Sequence, residues 1–182
     1  MSTPRQPRVP LGPDHRPAGR DARLTSSLGD YQDAVVRLRA LDPVTTELVR
    51  LRCARQHDCR ICQTLRLSDA VEAGATDGMT AKIDFYEASD LAERHKVALR
   101  IVDAFIWQPS SIGPDLSAQA HEHFSASELA ELLLDITKWS TQKIHVALGT
   151  DGADRLPVND DGVAYFAFGE DGAVARIAAT PA

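Results

Sequence analysis

Cys59 and Cys62 are spaced Cys-x-x-Cys, so their thiols can close a disulfide or grip a metal. Only the thiolate is a good nucleophile, and a helix N-terminus or a nearby cation favours it. Cys59 stands at an expected helix start, with Arg60 and Arg66 close by in sequence. His57, two residues upstream, is a candidate base with an ordinary pKa of about 6.5. A second thiol lets a sulfenic acid resolve as a disulfide, which is what a peroxidase or a thiol–disulfide enzyme needs. Zinc uses the same spacing, but a structural zinc site wants a second pair of ligands, and only Cys53 and His57 lie close enough in sequence to offer one.

The helices around the pair must position it. Asp42-Pro43 reads as an N-cap and first-turn proline, after which Val44, Leu48 and Leu51 recur at helical spacing. Glu47 falls at the margin of that apolar face, and Cys53, about 180° around from Val44, reads as a buried structural thiol. The next helix is expected from Cys59 to Ala73 with Gly74 as its stop. On it Cys59, Cys62 and Arg66 fall within an arc of roughly 60°, with Ala70 and Ala73 extending the same face.

Upstream, residues 1 to 28 are rich in Pro, Arg and Gly and read as an extended arm, with a first helix over Tyr31 to Ala40. Downstream, Asp77 to Phe85 and Pro114 to Phe124 read as short helices, and a longer one opens at Asp90 and ends before Pro109. Ser125 and Glu128 form a capping box ahead of a long helix that carries Leu129, Leu132, Leu133, Ile136 and Ile144 and stops at Gly149. Val163–Phe168 and Ala173–Ile177 flank a four-residue loop and predict a β-hairpin, which must dock to be stable. His121 and His123 face different sides of their helix, so solvated or capping roles fit them better than metal ligation.

A chain of 182 residues suits one domain, and its 20 basic against 26 acidic side chains give a net charge of −6 with no basic stripe. Nucleic acid is therefore not an expected partner. No apolar run approaches the roughly 20 residues of a membrane span, and the N-terminus lacks the apolar stretch of a signal peptide. A cytoplasmic location is expected; three cysteines are too few, and odd in number, for a secreted disulfide framework.

The segment Glu47-Leu-Val-Arg-Leu-Arg-Cys-Ala-Arg-Gln-His-Asp-Cys-Arg-Ile-Cys62 resembles the AhpD-like, carboxymuconolactone decarboxylase family. In its redox branch a Glu precedes the first Cys of Cys-x-x-Cys by twelve residues, as Glu47 does here. The likeness runs on through Trp139-Ser-Thr-Gln-Lys-Ile-His-Val-Ala-Leu-Gly149 and covers about residues 30 to 152. It implies an all-α AhpD-like helical bundle over 29–152, flanked by the arm over 1–28 and the hairpin tail over 153–182. It also implies assembly as a homotrimer or hexamer.

The activity implied is thiol-dependent reduction of a small hydroperoxide or disulfide, with an unknown thiol as electron donor. No cofactor is expected beyond the reversible Cys59–Cys62 disulfide, and no metal. Cys62 would attack, Cys59 resolve, Arg66 and Arg60 stabilise thiolate, and Glu47 orient the cationic partner. One position departs from the family: four residues after Cys62, where the redox branch has a proton-relay His, stands Arg66. Arginine stays protonated and cannot shuttle a proton. His57 is then the alternative base. Two other readings stay open: a non-catalytic oligomeric scaffold with a degenerate site, and a cofactor-free lyase on a small organic acid with arginines binding carboxylate.

Overall fold

The computed structural model describes residues 6–13, 16–154 and 156–181. Residues 1–5, 14, 15, 155 and 182 of the expected arm and tail lie outside the described residues. The first helix, α1 (Ala22–Val35), starts and ends earlier than the expected Tyr31 to Ala40. Its cause is a cap inside the stretch read as extended arm: the Asp21 carboxylate accepts from Leu24 N at 2.9 Å. What precedes it folds back on its own chain, with Arg8 N donating to Leu148 O at 2.8 Å.

At the centre lies α2 (Pro43–Gln56), whose N-cap Asp42 accepts from Thr45 N at 2.8 Å. It packs against both α6 (Glu93–Trp107) and α8 (Ala126–Ser140). Being covered on more than one side, α2 buries every residue from Glu47 to Leu51. One main core joins Val49 and Cys53 of α2 to Val97, Ile101 and Val102 of α6 and Leu132 and Ile136 of α8. A second cluster sets Leu48 and Leu51 against Ile83, Tyr86 and Leu99. The Ser125–Glu128 capping box is present at the start of α8.

The helix expected over Cys59 to Ala73 breaks into three pieces: α3 (Arg60–Thr64), a strand β1 (Leu65–Leu67) and α4 (Ser68–Glu72). The cause is the C-terminal hairpin. Its strand β2 (Ala164–Phe168) pairs in parallel with β1, matching Arg66 to Tyr165 and Leu67 to Phe166. Ladder bonds and the burial of Leu67 outweigh local helix propensity. With β3 (Val174–Ala178) antiparallel to β2, the hairpin belongs to a three-stranded sheet ordered β1-β2-β3. Its loop presses on α1: Gly172 has φ +83°, and a Cβ there would lie 2.2 Å from Asp33 O. Only glycine meets both demands.

Asp77 to Phe85 forms α5 (Asp77–Ala81) and runs on as a 3-10 turn over Lys82–Ala88. Pro114 opens α7 (Pro114–His123) as expected. The helix expected to continue to Gly149 is interrupted after Ser140 and resumes as α9 (Lys143–Leu148), with Gly149 as its left-handed C-cap. Among the described residues no helix is long and apolar enough to cross a membrane.

Candidate active site

The turn between α2 and α3 places the cysteines. His57 ends α2, Asp58 takes the left-handed conformation (φ 51°), Cys59 N donates to Ala54 O at 2.9 Å and Asp58 N to Arg55 O at 3.0 Å. This is a Schellman termination with Asp58 at the position glycine favours. It delivers Cys59 to the start of α3, where Cys59 and Cys62 are joined in a disulfide, their Cα atoms 5.3 Å apart. Cys59 is fully buried, whereas Cys62 is partly exposed and lines a cavity.

The N-terminal end of α3 is already occupied by a carboxylate. Asp151, itself fully buried, accepts from Arg60 N at 3.1 Å, and its backbone oxygen accepts from Ile61 N at 3.1 Å. Arg60 Nη2 pairs with the same carboxylate at 3.3 Å. The positive helix end and the Arg60 cation, both expected to favour thiolate, are therefore engaged by a fixed anion.

Glu47 makes its ion pair with Arg50, not with Arg66. Its carboxylate is buried and takes Arg50 in a two-point pair, Nε to Oε2 at 2.6 Å and Nη2 to Oε1 at 2.8 Å. Arg50 then reaches across to the redox segment: Nη1 donates to Cys62 O at 2.9 Å and Nη2 to Leu65 O at 2.5 Å. These carbonyls lost their helical partners when the chain turned into β1, and Arg50 satisfies them. Glu47 Oε1 also accepts from Leu67 N at 3.4 Å.

Because residue 66 lies on a strand, the expected shared helical face of Cys59, Cys62 and Arg66 does not form. Arg66 Nη1 donates to Gln63 O at 2.7 Å and Leu65 O at 2.9 Å. Its side chain lines a separate cavity of about 250 Å³ with Glu47, Asp77, Thr80 and Tyr165. Burial and the Arg50 charge lower its pKa.

Cys62 faces a different cavity, of about 210 Å³, walled by Trp139, Phe166, Phe168, Val174 and Ile177. Its charged lining is Arg50, Asp33 and Lys138. Arg50 lies 5.4 Å from the Phe166 ring centroid and 5.9 Å from that of Trp139. Lys138 Nζ sits 3.2 Å from the Trp139 centroid and 5.4 Å from that of Phe168. Burial, with Arg50 opposing the charge, brings the Lys138 ammonium down to about 7 against the pull of Asp135 and Asp33.

His57 does not line that cavity. Both ring nitrogens are buried and have no hydrogen-bond partner among the described residues, and burial, with Lys143 near, pushes its pKa down to about 4. A neutral imidazole so weakly basic, outside the Cys62 cavity, is a poor acceptor for a thiol proton. Cys53 is an inert core thiol, pushed up to about 12 chiefly by burial. His121 and His123 occupy the last turn of α7.

Arg50, Asp151, Lys138 and the hairpin phenylalanines belong to no motif in the sequence. Arg50 carried a usable signal, three residues after Glu47 on one helix. Lys138 carried a misleading one: Glu131, Asp135 and Lys138 form a charged ridge that would ordinarily face solvent, yet all three are buried.

No protein-family profile matches the chain. It is 41% identical over 143 residues to the uncharacterized protein Rv2313c of Mycobacterium tuberculosis, a match that takes in 75% of this chain and 50% of that protein. The chain thus spans about half the length of that relative. It is 25% identical over 121 residues to the uncharacterized protein YdfG of Bacillus subtilis, covering 64% of this chain and 81% of YdfG. Among solved structures it matches a protein of unknown function from Agrobacterium tumefaciens, described as a candidate antioxidant defence protein AhpD. That match has a TM-score of 0.55 and 18% identity, and covers 69% of this chain and 86% of the other. It establishes a shared AhpD-like helical fold.

Proposed function

We propose that this protein is a thiol-dependent oxidoreductase that reduces a small organic hydroperoxide or disulfide through Cys59 and Cys62. The observation that carries the reading is the asymmetry of the pair: Cys62 opens on an aromatic cavity while its partner Cys59 is buried beside it. The Cys62 thiolate attacks the terminal oxygen of the hydroperoxide, forming an S–O bond as O–O breaks and the alkoxide leaves. Cys59 then displaces hydroxide from the sulfenic acid, giving the disulfide and, with one proton, water. An external thiol donor returns the pair to the dithiol. Apolar walls favour an organic substrate over hydrogen peroxide. The AhpD-like fold agrees with this chemistry, and we place the protein in the cytoplasm as a homotrimer or hexamer.

The test begins with protein reduced by dithiothreitol and freed of it, then mixed with cumene hydroperoxide. Stoichiometric loss of hydroperoxide with formation of the Cys59–Cys62 disulfide is expected. Persistence of both hydroperoxide and thiols would overturn the reading.

One observation favours a second reading, a non-catalytic scaffold whose disulfide is structural: the relay position, Arg66, lines another cavity. On that reading the Cys59→Ser/Cys62→Ser protein loses stability and the wild type shows no turnover.

A further inference from the structure

Attack by Cys62 requires a group that removes a proton from the thiol and returns it to the departing alkoxide. Arg66 and His57 do not line the Cys62 cavity: Arg66 lines the other one, and His57 lines neither. Resting on the thiol-dependent reading above, we propose that Lys138 is the proton-transfer group of the Cys62 cavity, acting on the thiol directly or through one water.

The argument is one of place and surroundings. Lys138 and Cys62 line the same cavity, brought there by α8 and α3. Lys138 is 4% exposed, and among the described residues its Nζ makes no ion pair; ring faces of Trp139 and Phe168 lie against it instead. The charges facing it are Arg50 from α2, Asp33 from α1 and Asp135 one turn earlier on α8. Burial and Arg50 disfavour the ammonium, while the two carboxylates oppose them, and the balance lies at about 7. An amine so poised exists in both forms near neutrality and can accept and then donate. An arginine at this place would do neither.

The steps balance. The neutral amine takes the Cys62 proton, giving thiolate and ammonium. The thiolate attacks the hydroperoxide, which is reduced to alkoxide as Cys62 becomes a sulfenic acid. The ammonium protonates the alkoxide, so alcohol leaves and the neutral amine is restored. Cys59 thiol and Cys62 sulfenic acid then condense to the disulfide with loss of water.

Two readouts on the reduced full chain test this. One is the pH profile of Cys62 alkylation by iodoacetamide, followed by mass spectrometry; the other is the rate of disulfide formation with cumene hydroperoxide. Lys138→Met should move the alkylation midpoint up by about one pH unit or more and slow disulfide formation at neutral pH about tenfold. Lys138→Arg keeps the charge, so alkylation should stay fast while disulfide formation slows. Lys138→His should recover part of the rate with a displaced pH profile, and it decides the matter if the methionine variant does not fold. An unchanged alkylation midpoint in Lys138→Met, or wild-type disulfide formation in Lys138→Arg, would overturn the role. If the wild type ignores hydroperoxide, the oxidoreductase reading fails, and the alkylation profile still decides whether Lys138 controls the Cys62 proton.

Discussion

Arg50 Nη1 holds the Cys62 carbonyl oxygen at 2.9 Å from the central helix α2, while Glu47 grips the same guanidinium from below. The pair is deeply buried, with side chains 2% and 1% exposed. Removing one member of such a pair strands the other charge. Arg50→Met or Glu47→Met should therefore cost about 3–5 kcal/mol, and the double substitution clearly less than the sum of the two singles. Urea unfolding of the three variants checks this; additive losses would mean that the two side chains are energetically independent.

That relationship also marks where sequence reasoning stopped. The caps at Asp42 and Ser125, the stops at Gly74 and Gly149 and the hairpin follow from local chemistry, and each could be read from a few neighbouring residues. The break at Leu65 could not, because it is made by pairing with Ala164–Phe168 a hundred residues away. Helical spacing puts Arg66 beside the cysteines, whereas one long-range strand pairing sets it in another cavity. The burial of Arg50 and Lys138 was hidden for a similar reason: periodicity records one apolar face, and α2 and α8 are covered on more than one. The cysteine pair and Glu47 were visible from spacing; the groups that serve them were supplied by packing.

Burial separates the two thiols. After reduction, the Cys59→Ser variant should leave a Cys62 thiol that alkylates at least about tenfold faster than the Cys59 thiol left in Cys62→Ser. Asp151 should hold both thiols less acidic than a bare helix end would. Asp151→Asn keeps an acceptor for Arg60 N but removes the anion, and should shift the Cys62 alkylation midpoint to lower pH. Equal alkylation rates in the two serine variants would remove the assignment of Cys62 as the attacking sulfur.

Arg66→His restores the residue type of the redox branch without restoring its place. The imidazole would line the cavity of Glu47 and Tyr165, away from Cys62. Hydroperoxide-driven disulfide formation should therefore stay within about twofold of wild type, a change of at most about 0.4 kcal/mol in barrier. A large gain would show that β1 can yield and let residue 66 reach the sulfurs.

The hairpin forms one wall of the cavity, and Gly172 fixes how closely it sits on α1. Gly172→Ala meets both an unfavourable φ and the Asp33 backbone, so it should cost about 1–3 kcal/mol and loosen that wall. The expected kinetic result is weaker selection between cumene hydroperoxide and hydrogen peroxide, measured as the ratio of their disulfide-forming rates. An unchanged ratio would place substrate discrimination elsewhere.

Asp135 gives the chain a stability dependence of unusual sign. Burial, with Glu131 adding repulsion, lifts its carboxyl from 3.8 to about 7, against the pull of Lys138 and a hydrogen bond from Thr46. A pKa raised by folding means that the folded state favours the protonated acid. The stabilisation is full below the unfolded value of 3.8 and is lost as pH rises through about 7. Lys138 runs the other way, lowered from 10.5 to about 7, so its contribution is full at high pH and is lost as pH falls through about 7. Together they weaken the fold near neutrality. Asp135→Asn abolishes the first dependence, so its stability relative to wild type should climb between about pH 4 and pH 7, by up to about 1.4 kcal/mol per unit. Urea midpoints of both proteins across this range decide it. A constant difference would mean that the Asp135 carboxyl ionises in the folded protein over the same pH range as in the unfolded chain, so that its burial does not disfavour the carboxylate.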